Sequence, residues 1–176
     1  MKYDEMNSTE NVEKMIQQID NEFHLILIAE KMEESLILLK NLLCWNLEDV
    51  RYFKLNERNE TSKSLLTPET RKRLKKWLWA DYKLYDFFGK KLKVLIEAFG
   101  SQNMETQVSA LKEANKKLKF DCHEKHIENK DLKGTPYLMA SDVIKGLSLD
   151  SNCSLYAISE PFFFRLIRAK QRFLFS

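Results

Sequence analysis

Residues 23–56 constrain the fold of this chain more than any other stretch, because their hydrophobic pattern changes twice. Residues 23–29 are apolar, partly β-branched and too few for an ordinary helix. From Glu33 the leucines recur at helical spacing, with charged and amide side chains between them. Residues 51–55 then return to a strand-like composition. The stretch predicts a strand, a helix and a second strand, joined as a βαβ unit with parallel, buried strands.

Helical patterns fill most of the remaining chain, so the predicted fold class is α/β and rich in helix. Residues 1–8 read as a disordered N-terminus and residues 9–176 as the folded part. Thr67 followed by Pro68 is a strong helix start. The pattern that follows is expected to break near Ala80, where Asp81 would cap a second helix, and to stop at Gly100.

The last two predicted helices carry clear start signals. Ser101 begins one helix, and Pro161 opens the other at the C-terminal end of the chain. The terminal helix is basic and amphipathic, which suits a membrane surface. Such a helix more often docks on its own domain, and both interpretations stay open.

Composition excludes several functional classes. With 176 residues the chain suits one domain, and a net charge of +3 does not indicate nucleic acid. Residues 71–93 interleave basic and aromatic side chains, but this pattern favours an amphipathic helix pair with the aromatic residues in the core. No apolar run is long enough to cross a membrane, and the N-terminus lacks the apolar region of a signal peptide.

Three cysteines leave several possibilities open. Cys44 falls on the apolar side of the predicted helix, so we expect it to be buried. Cys122 and Cys153 flank a loop-rich stretch and would form a disulfide in an oxidising compartment, or remain free thiols. Cys122 with His123 and His126 offers metal-ligating side chains, but the spacing is poor for a tetrahedral site, so no metal is expected.

Residues 23–56 contain a long and irregular set of motifs: Leu27-Ile28-Ala29-Glu30, Glu34-Ser35-Leu36, Leu42-Leu43-Cys44-Trp45, Asp49-Val50 and Tyr52-Phe53-Lys54-Leu55-Asn56. This combination resembles the galactosylceramide sulfotransferase, or galactose-3-O-sulfotransferase, family. The resemblance runs from about Asn11 to the end of the chain, continues through Trp79-x-Asp81-x-x-x-Tyr85 and Glu97-Ala98-Phe99-Gly100, and thins beyond about Cys122. One departure is Lys31-Met32-Glu33, where the family would have an aromatic pair followed by aspartate.

The resemblance implies sulfuryl transfer from 3′-phosphoadenylyl sulfate to the 3-hydroxyl of galactose, on a glycolipid or glycan acceptor. It also implies a P-loop-like sulfotransferase fold of which this chain would be the C-terminal part. The missing N-terminal half would supply the donor-binding loop and a membrane anchor, with the enzyme on the lumenal side of the Golgi membrane. A donor phosphate needs backbone N–H groups at a helix start, and none of the four glycines opens a helix in a glycine-rich loop. We therefore assign no catalytic residue and expect no cofactor site in this chain.

The candidate acceptor-side residues are Glu30, Asn56, Trp79 and Tyr82. Glu30 and Asn56 follow the two predicted strands, and ligand crevices lie at that edge of an open α/β sheet. For Glu30 and the neighbouring Glu34, stabilisation of the helix start is the competing interpretation. Trp79 and Tyr82 would pack against the C–H face of a galactose ring.

Asn59 and Asn152 lie in Asn-x-Ser/Thr motifs and are candidate glycosylation sites, which suits a lumenal glycoprotein.

The alternative function is a non-catalytic binding or structural module, either a truncated isoform or an inactive relative of the enzyme. Donor binding would discriminate the two functions.

Overall fold

The computed structural model describes residues 9–54, 66–122 and 153–174, with the backbone only for 173 and 174. These residues are predominantly helical, as the prediction of a helix-rich chain required. Two short 3-10 turns, Ala29–Lys31 and Leu47–Val50, flank the second helix. The helices are α1 (Thr9–Glu22), α2 (Met32–Leu42), α3 (Pro68–Trp77), α4 (Trp79–Phe99), α5 (Ser101–Cys122), α6 (Ser154–Ala157) and α7 (Glu160–Leu174).

The predicted helix boundaries are largely confirmed. Thr67 caps α3, because its Oγ1 accepts a hydrogen bond from the Thr70 N–H at 3.2 Å. Gly100 ends α4 with a φ of 93°, a conformation that glycine adopts without steric cost. The break between α3 and α4 lies at Leu78, not at residues 80–81, and Asp81 lies in the first turn of α4 instead of capping it.

The predicted βαβ unit is not present in the described part of the chain. There the only β-type pairing is a single bridge at Ile158, and neither residues 23–29 nor residues 51–54 form a strand. A strand needs a neighbour for its backbone N–H and C=O groups. The apolar run instead packs against helices, and Ile28 donates its N–H to Ser35 Oγ at 3.2 Å. Periodicity alone could not separate a buried connector from a buried strand.

The described residues fall into two compact units, the first comprising residues 1–50 and 55–112. In this unit α4 packs against both α1 and α2. The core joins these helices to the apolar connector before α2 and to the first half of α5. Its buried side chains are Val12, Ile16, Ile28, Ile37, Leu38, Val50, Phe88, Leu92, Met104 and Leu111.

The second unit comprises residues 51–54 and 113–176. Its core is built around the disulfide between Cys122 and Cys153, with Leu118 buried beside it. Phe53 and Tyr156 pack edge to face, with ring centroids 5.7 Å apart. The segment before residue 55 is held to α5 by a hydrogen bond of 3.0 Å from the Tyr52 N–H to Asn115 Oδ1.

Cys44 is exposed, so the prediction that it is buried is wrong. Helix α2 ends at Leu42, before Cys44 can occupy its apolar face. The Cys44 N–H bonds the Asn41 carbonyl and the Trp45 N–H bonds the Lys40 carbonyl, at 3.3 and 2.9 Å. This pair of bonds is a Schellman motif, and it places Cys44 in the left-handed region with a φ of 54°.

In the part of the chain that the structure covers, no helix has both the length and the apolar character needed to traverse a bilayer.

Candidate functional site

A tyrosine and a glutamate from different elements meet on the surface of the first unit. Glu30 lies in the 3-10 turn that precedes α2, and Tyr85 lies on α4. The Glu30 carboxylate lies beside the Tyr85 hydroxyl and raises the pKa of Tyr85, chiefly because it favours the protonated phenol as a hydrogen-bond donor, with smaller effects from desolvation and the negative charge of Glu30. Both side chains are exposed, so the pair is open to a ligand from solvent.

Tyr85 is the last member of an aromatic row on α4, which comprises Trp79, Tyr82 and Tyr85. Residues three apart are neighbours on a helix surface, so the three rings follow one another along α4. Tyr82 and Tyr85 are 47% and 48% exposed, whereas Trp79 is partly buried against the core. The row therefore presents two accessible phenol rings beside the Glu30 carboxylate.

Two lysines lie over rings of the same row. Lys75 Nζ lies 5.8 Å from the centre of the Tyr82 ring, and Lys83 Nζ lies 5.9 Å from the centre of the Trp79 ring. Both distances are within cation–π range. The surface thus combines aromatic planes, a carboxylate and ammonium groups, which are the groups that bind polar ligands with one apolar face.

The expectation that the aromatic residues of 71–93 form a core face is wrong for three of the six. Trp77 is 78% exposed at the end of α3, and Tyr82 and Tyr85 face solvent. The core side of α4 is carried instead by Phe88 and Leu92, with partly buried neighbours. Tyr82 lies about 120° from Phe88 around the helix at 3.6 residues per turn, which takes it off the core stripe.

Lysines of α4 pair with acidic residues, two of which, Glu13 and Asp20, lie on α1. Lys83 Nζ lies 2.8 Å from Glu13 Oε1, and Lys91 pairs with Asp20. Within α4, Lys90 Nζ lies 2.6 Å from Asp86 Oδ2. These pairs neutralise part of the positive charge of residues 71–93, which weakens its attraction for a polyanion such as a nucleic acid.

Glu34 differs from Glu30 in its surroundings. It lies in the first turn of α2, where its carboxylate accepts a hydrogen bond of 2.9 Å from Lys31 Nζ. Partial burial alone would raise the pKa of Glu34. The Lys31 hydrogen bond, a bond from its own backbone amide and the charges of Lys31 and Lys112 together outweigh that effect, so the pKa is lowered. Glu34 therefore fits the interpretation that it stabilises the start of α2, whereas the Glu30 carboxylate lies beside Tyr85.

Tyr85 is the residue that sequence reasoning missed. It was part of the motif that extends from Trp79, but its partner Glu30 is 55 positions earlier in the chain, and no local pattern joins the two. Of the predicted acceptor-side residues, Glu30, Trp79 and Tyr82 lie in the first unit, with Glu30 joined to the row through Tyr85. Asn56 lies outside the described residues, as do the glycosylation candidates Asn59 and Asn152.

Cys122 and Cys153 are joined by a disulfide, with an S–S distance of 2.02 Å and a Cα–Cα distance of 5.6 Å. Both residues are almost fully buried. A sulfur in a disulfide is not available as a thiolate ligand, which removes Cys122 from any zinc site. Among the described residues no group of three or more metal-ligating side chains converges, and His123 and His126 lie outside them.

Comparison with known proteins assigns this chain to a family. The sequence model of the galactose-3-O-sulfotransferase family matches residues 2–135. Because the match covers most of the chain, the chain belongs to the galactose-3-O-sulfotransferase family.

Individual relatives agree with this assignment. Galactosylceramide sulfotransferase from Bos taurus is 41% identical over 115 residues, which are 65% of this chain and 27% of the relative. Galactose-3-O-sulfotransferase 2 from Homo sapiens is 33% identical over 145 residues, which are 78% of this chain and 36% of the relative. The chain thus spans between a quarter and about a third of the length of these relatives. No solved structure matches the chain significantly.

Proposed function

We propose that this chain is the acceptor-side part of a sulfotransferase that acts on galactose. The complete enzyme moves a sulfuryl group from 3′-phosphoadenylyl sulfate to the 3-hydroxyl of galactose, in galactosylceramide or a related glycan. Membership of the family supports the reaction class, and the names of the relatives support galactose as the acceptor sugar. The observation that carries the acceptor-side assignment is the exposed Glu30 carboxylate beside Tyr85, with the exposed ring of Tyr82 on the same helix.

The chemistry of this surface suits a sugar. A carboxylate is an acceptor only, so Glu30 binds hydroxyl donors of a pyranose ring. The rings of Tyr82 and Tyr85 offer apolar planes for the C–H face of galactose, and their hydroxyl groups offer further hydrogen bonds. Trp79 borders this surface and supports it through its contact with the core.

The donor site belongs, in this proposal, to family sequence that this chain does not contain. In the complete enzyme a general base deprotonates the galactose 3-hydroxyl, and the oxygen attacks sulfur in line while cationic groups hold the leaving phosphate. No residue of this chain is assigned to either role. The α/β, P-loop-like arrangement likewise belongs to the complete domain. Residues 23–29, which are apolar except for His24, suit a buried parallel strand once neighbouring strands are present.

A lumenal location in the Golgi follows from the same proposal. Stable disulfides are typical of oxidising compartments, and the bond between Cys122 and Cys153 is buried in the second unit. Glycans on Asn59 or Asn152 would be consistent with that location. Attachment to the membrane would come from an N-terminal anchor of the complete enzyme.

A chimeric enzyme tests the proposed function. The part of the bovine relative that aligns with this chain is replaced by the residues of this chain, and transfer of labelled sulfate to galactosylceramide is measured. We expect transfer well above that of a chimera in which the same segment is deleted. A soluble, folded chimera without transfer would contradict the proposal.

The second candidate is a non-catalytic binding or structural module. Titration calorimetry with 3′-phosphoadenosine 5′-phosphate tests whether this chain itself binds the donor. The isolated chain is expected to give no binding heat if the donor site lies elsewhere. A micromolar affinity would place a donor site in this chain. Sulfate transfer by the chimera distinguishes the acceptor-side part of an enzyme from the inactive module.

A further inference from the structure

The last helix exposes an unusual amount of apolar surface. Helix α7 contributes one buried side chain, Phe162, to the second unit. Four other apolar residues remain between 37% and 54% exposed: Phe163, Phe164, Leu166 and Ile167. On a regular helix, with 100° per residue, these four side chains spread over an arc of roughly 160°. An arc of this width is enough for one side of the helix to lie against an apolar phase.

Three arginines occupy the side of α7 opposite these apolar residues. Arg165, Arg168 and Arg172 follow one another at spacings of three and four, so they form a single stripe. Lys170 adds a fourth positive charge within the arc of the apolar residues, and Glu160 is the one acidic residue of the helix. Arg165 also lies over the Phe162 ring at 5.1 Å, which keeps its side chain beside the buried end of the helix.

We propose that α7 binds in the plane of an anionic lipid surface. Its apolar side would enter the boundary between headgroups and acyl chains, while the arginine stripe contacts negative headgroups. Lys170, which lies within the apolar arc, would extend its long side chain so that its ammonium group reaches the headgroups. Charge complementarity selects this partner, since an apolar protein groove would not require four cations on one short helix. A helix of 15 residues with this many charges lies on a membrane rather than crossing it. This inference does not depend on the sulfotransferase assignment.

Vesicle flotation of the full chain tests the proposal. Vesicles of phosphatidylcholine containing phosphatidylserine are compared with vesicles of phosphatidylcholine alone, at low and at physiological salt. We expect the chain to float with the anionic vesicles, and less so as salt rises. Equal partitioning into both vesicle types, or no flotation with either, would overturn the proposal.

A pair of charge variants tests the electrostatic contribution to vesicle binding. Arg168→Gln with Arg172→Gln should lower the partition coefficient roughly tenfold to thirtyfold, since each basic residue near an anionic surface contributes about 1 kcal/mol. Lys117→Gln with Lys119→Gln removes the same charge from exposed positions of α5 and should change it much less. Equal losses in the two charge variants would show that net charge, not α7, drives binding.

Phe163→Ser with Ile167→Ser should abolish flotation, whereas Leu155→Ser, which removes a more exposed apolar residue from α6, should not. All of these positions are exposed, so circular dichroism is expected to show unchanged folding. If the chain instead forms a dimer in analytical ultracentrifugation that Phe163→Ser with Ile167→Ser dissociates, and does not float, the apolar side of α7 is a protein interface and the lipid proposal fails.

Discussion

At the scale of single residues, Ser35 has the clearest structural role. It is the one polar side chain among the described residues that is both fully buried and part of the first core. Its hydroxyl accepts the N–H of Ile28 across seven positions of sequence. This bond attaches the apolar connector to α2, and the sequence could not predict it because Ser35 stands among leucines like any helical serine.

Replacing Ser35 by alanine should therefore destabilise the first unit. The change leaves the buried Ile28 N–H without its acceptor, which costs about 1–3 kcal/mol. Urea unfolding followed by circular dichroism measures this difference. Ser109→Ala, at an exposed position of α5, is the matched control and should stay within about 0.5 kcal/mol of the parent. A loss for Ser35→Ala no larger than that of the control would contradict the role assigned to the hydroxyl.

The carboxylate of Glu34 should make stability depend on pH. Its pKa is lowered in the folded state, so the stabilisation is present above the usual pKa of a glutamate and disappears as the pH falls through the lowered value. Glu34→Gln should lower stability at pH 7 by roughly 0.3–1 kcal/mol, as expected for a carboxylate in the first turn of a helix.

The same substitution should have little effect once the parent carboxyl is protonated in acid. Urea unfolding at neutral and acidic pH gives the comparison, and Glu105→Gln on the surface of α5 is the control. A loss that is equal at both pH values would show that charge is not the cause.

At the scale of elements, Thr67 with Pro68 and Gly100 were reliable signals, whereas Asp81 and the short apolar runs were not. Thr67 with Pro68 located the start of α3, and Gly100 located the end of α4, because each residue acts through its own backbone geometry. The segment of residues 23–29 is too short for periodicity to decide between strand and connector. Its actual environment depends on contacts with α4, which is distant in sequence.

The end of α2 offers a test of backbone strain. Cys44 holds a φ of 54°, which costs an L-residue more than it costs glycine. Cys44→Gly should therefore be more stable than Cys44→Ser by about 0.5–1 kcal/mol, after the greater freedom of glycine in the unfolded chain is included. The serine variant controls for loss of the thiol. Thermal unfolding of both variants decides this, and a less stable glycine variant would contradict the Schellman geometry.

At the scale of the whole molecule, the disulfide is the main covalent constraint that the structure shows. It joins residues separated by 31 positions, and closing a loop of that length stabilises by about 3–4 kcal/mol in the chain-entropy model. Cys122→Ser with Cys153→Ser should lose this amount in denaturant unfolding. Cys44→Ser, at an exposed free cysteine, should lose far less. Similar stabilities for the two variants would show that the bond contributes little.

The candidate site was predictable in part. Glu30 was singled out because it follows a predicted strand that the structure does not form, and Trp79 and Tyr82 because a family resemblance drew attention to their segment. The proximity of Glu30 to Tyr85 on α4 was not predicted, because Tyr85 resembled one more position of an apolar stripe. Its 48% exposure and its partner emerge only when α2 and α4 pack together. A single sequence does not reveal residue roles that depend on contacts between positions distant in the chain.

The central claim is that Glu30 and Tyr85 face the galactose acceptor, and its most direct test is the kinetics of the chimeric enzyme. Glu30→Gln and Tyr85→Phe are compared with Glu105→Gln, with KM measured separately for galactosylceramide and for 3′-phosphoadenylyl sulfate. Losing a hydrogen bond to a charged group corresponds to roughly tenfold or more in affinity. We predict a rise of about that size in the acceptor KM for Glu30→Gln, a smaller rise for Tyr85→Phe, and an unchanged donor KM in both. An unchanged acceptor KM in folded variants, or an equal rise in both KM values, would contradict the claim.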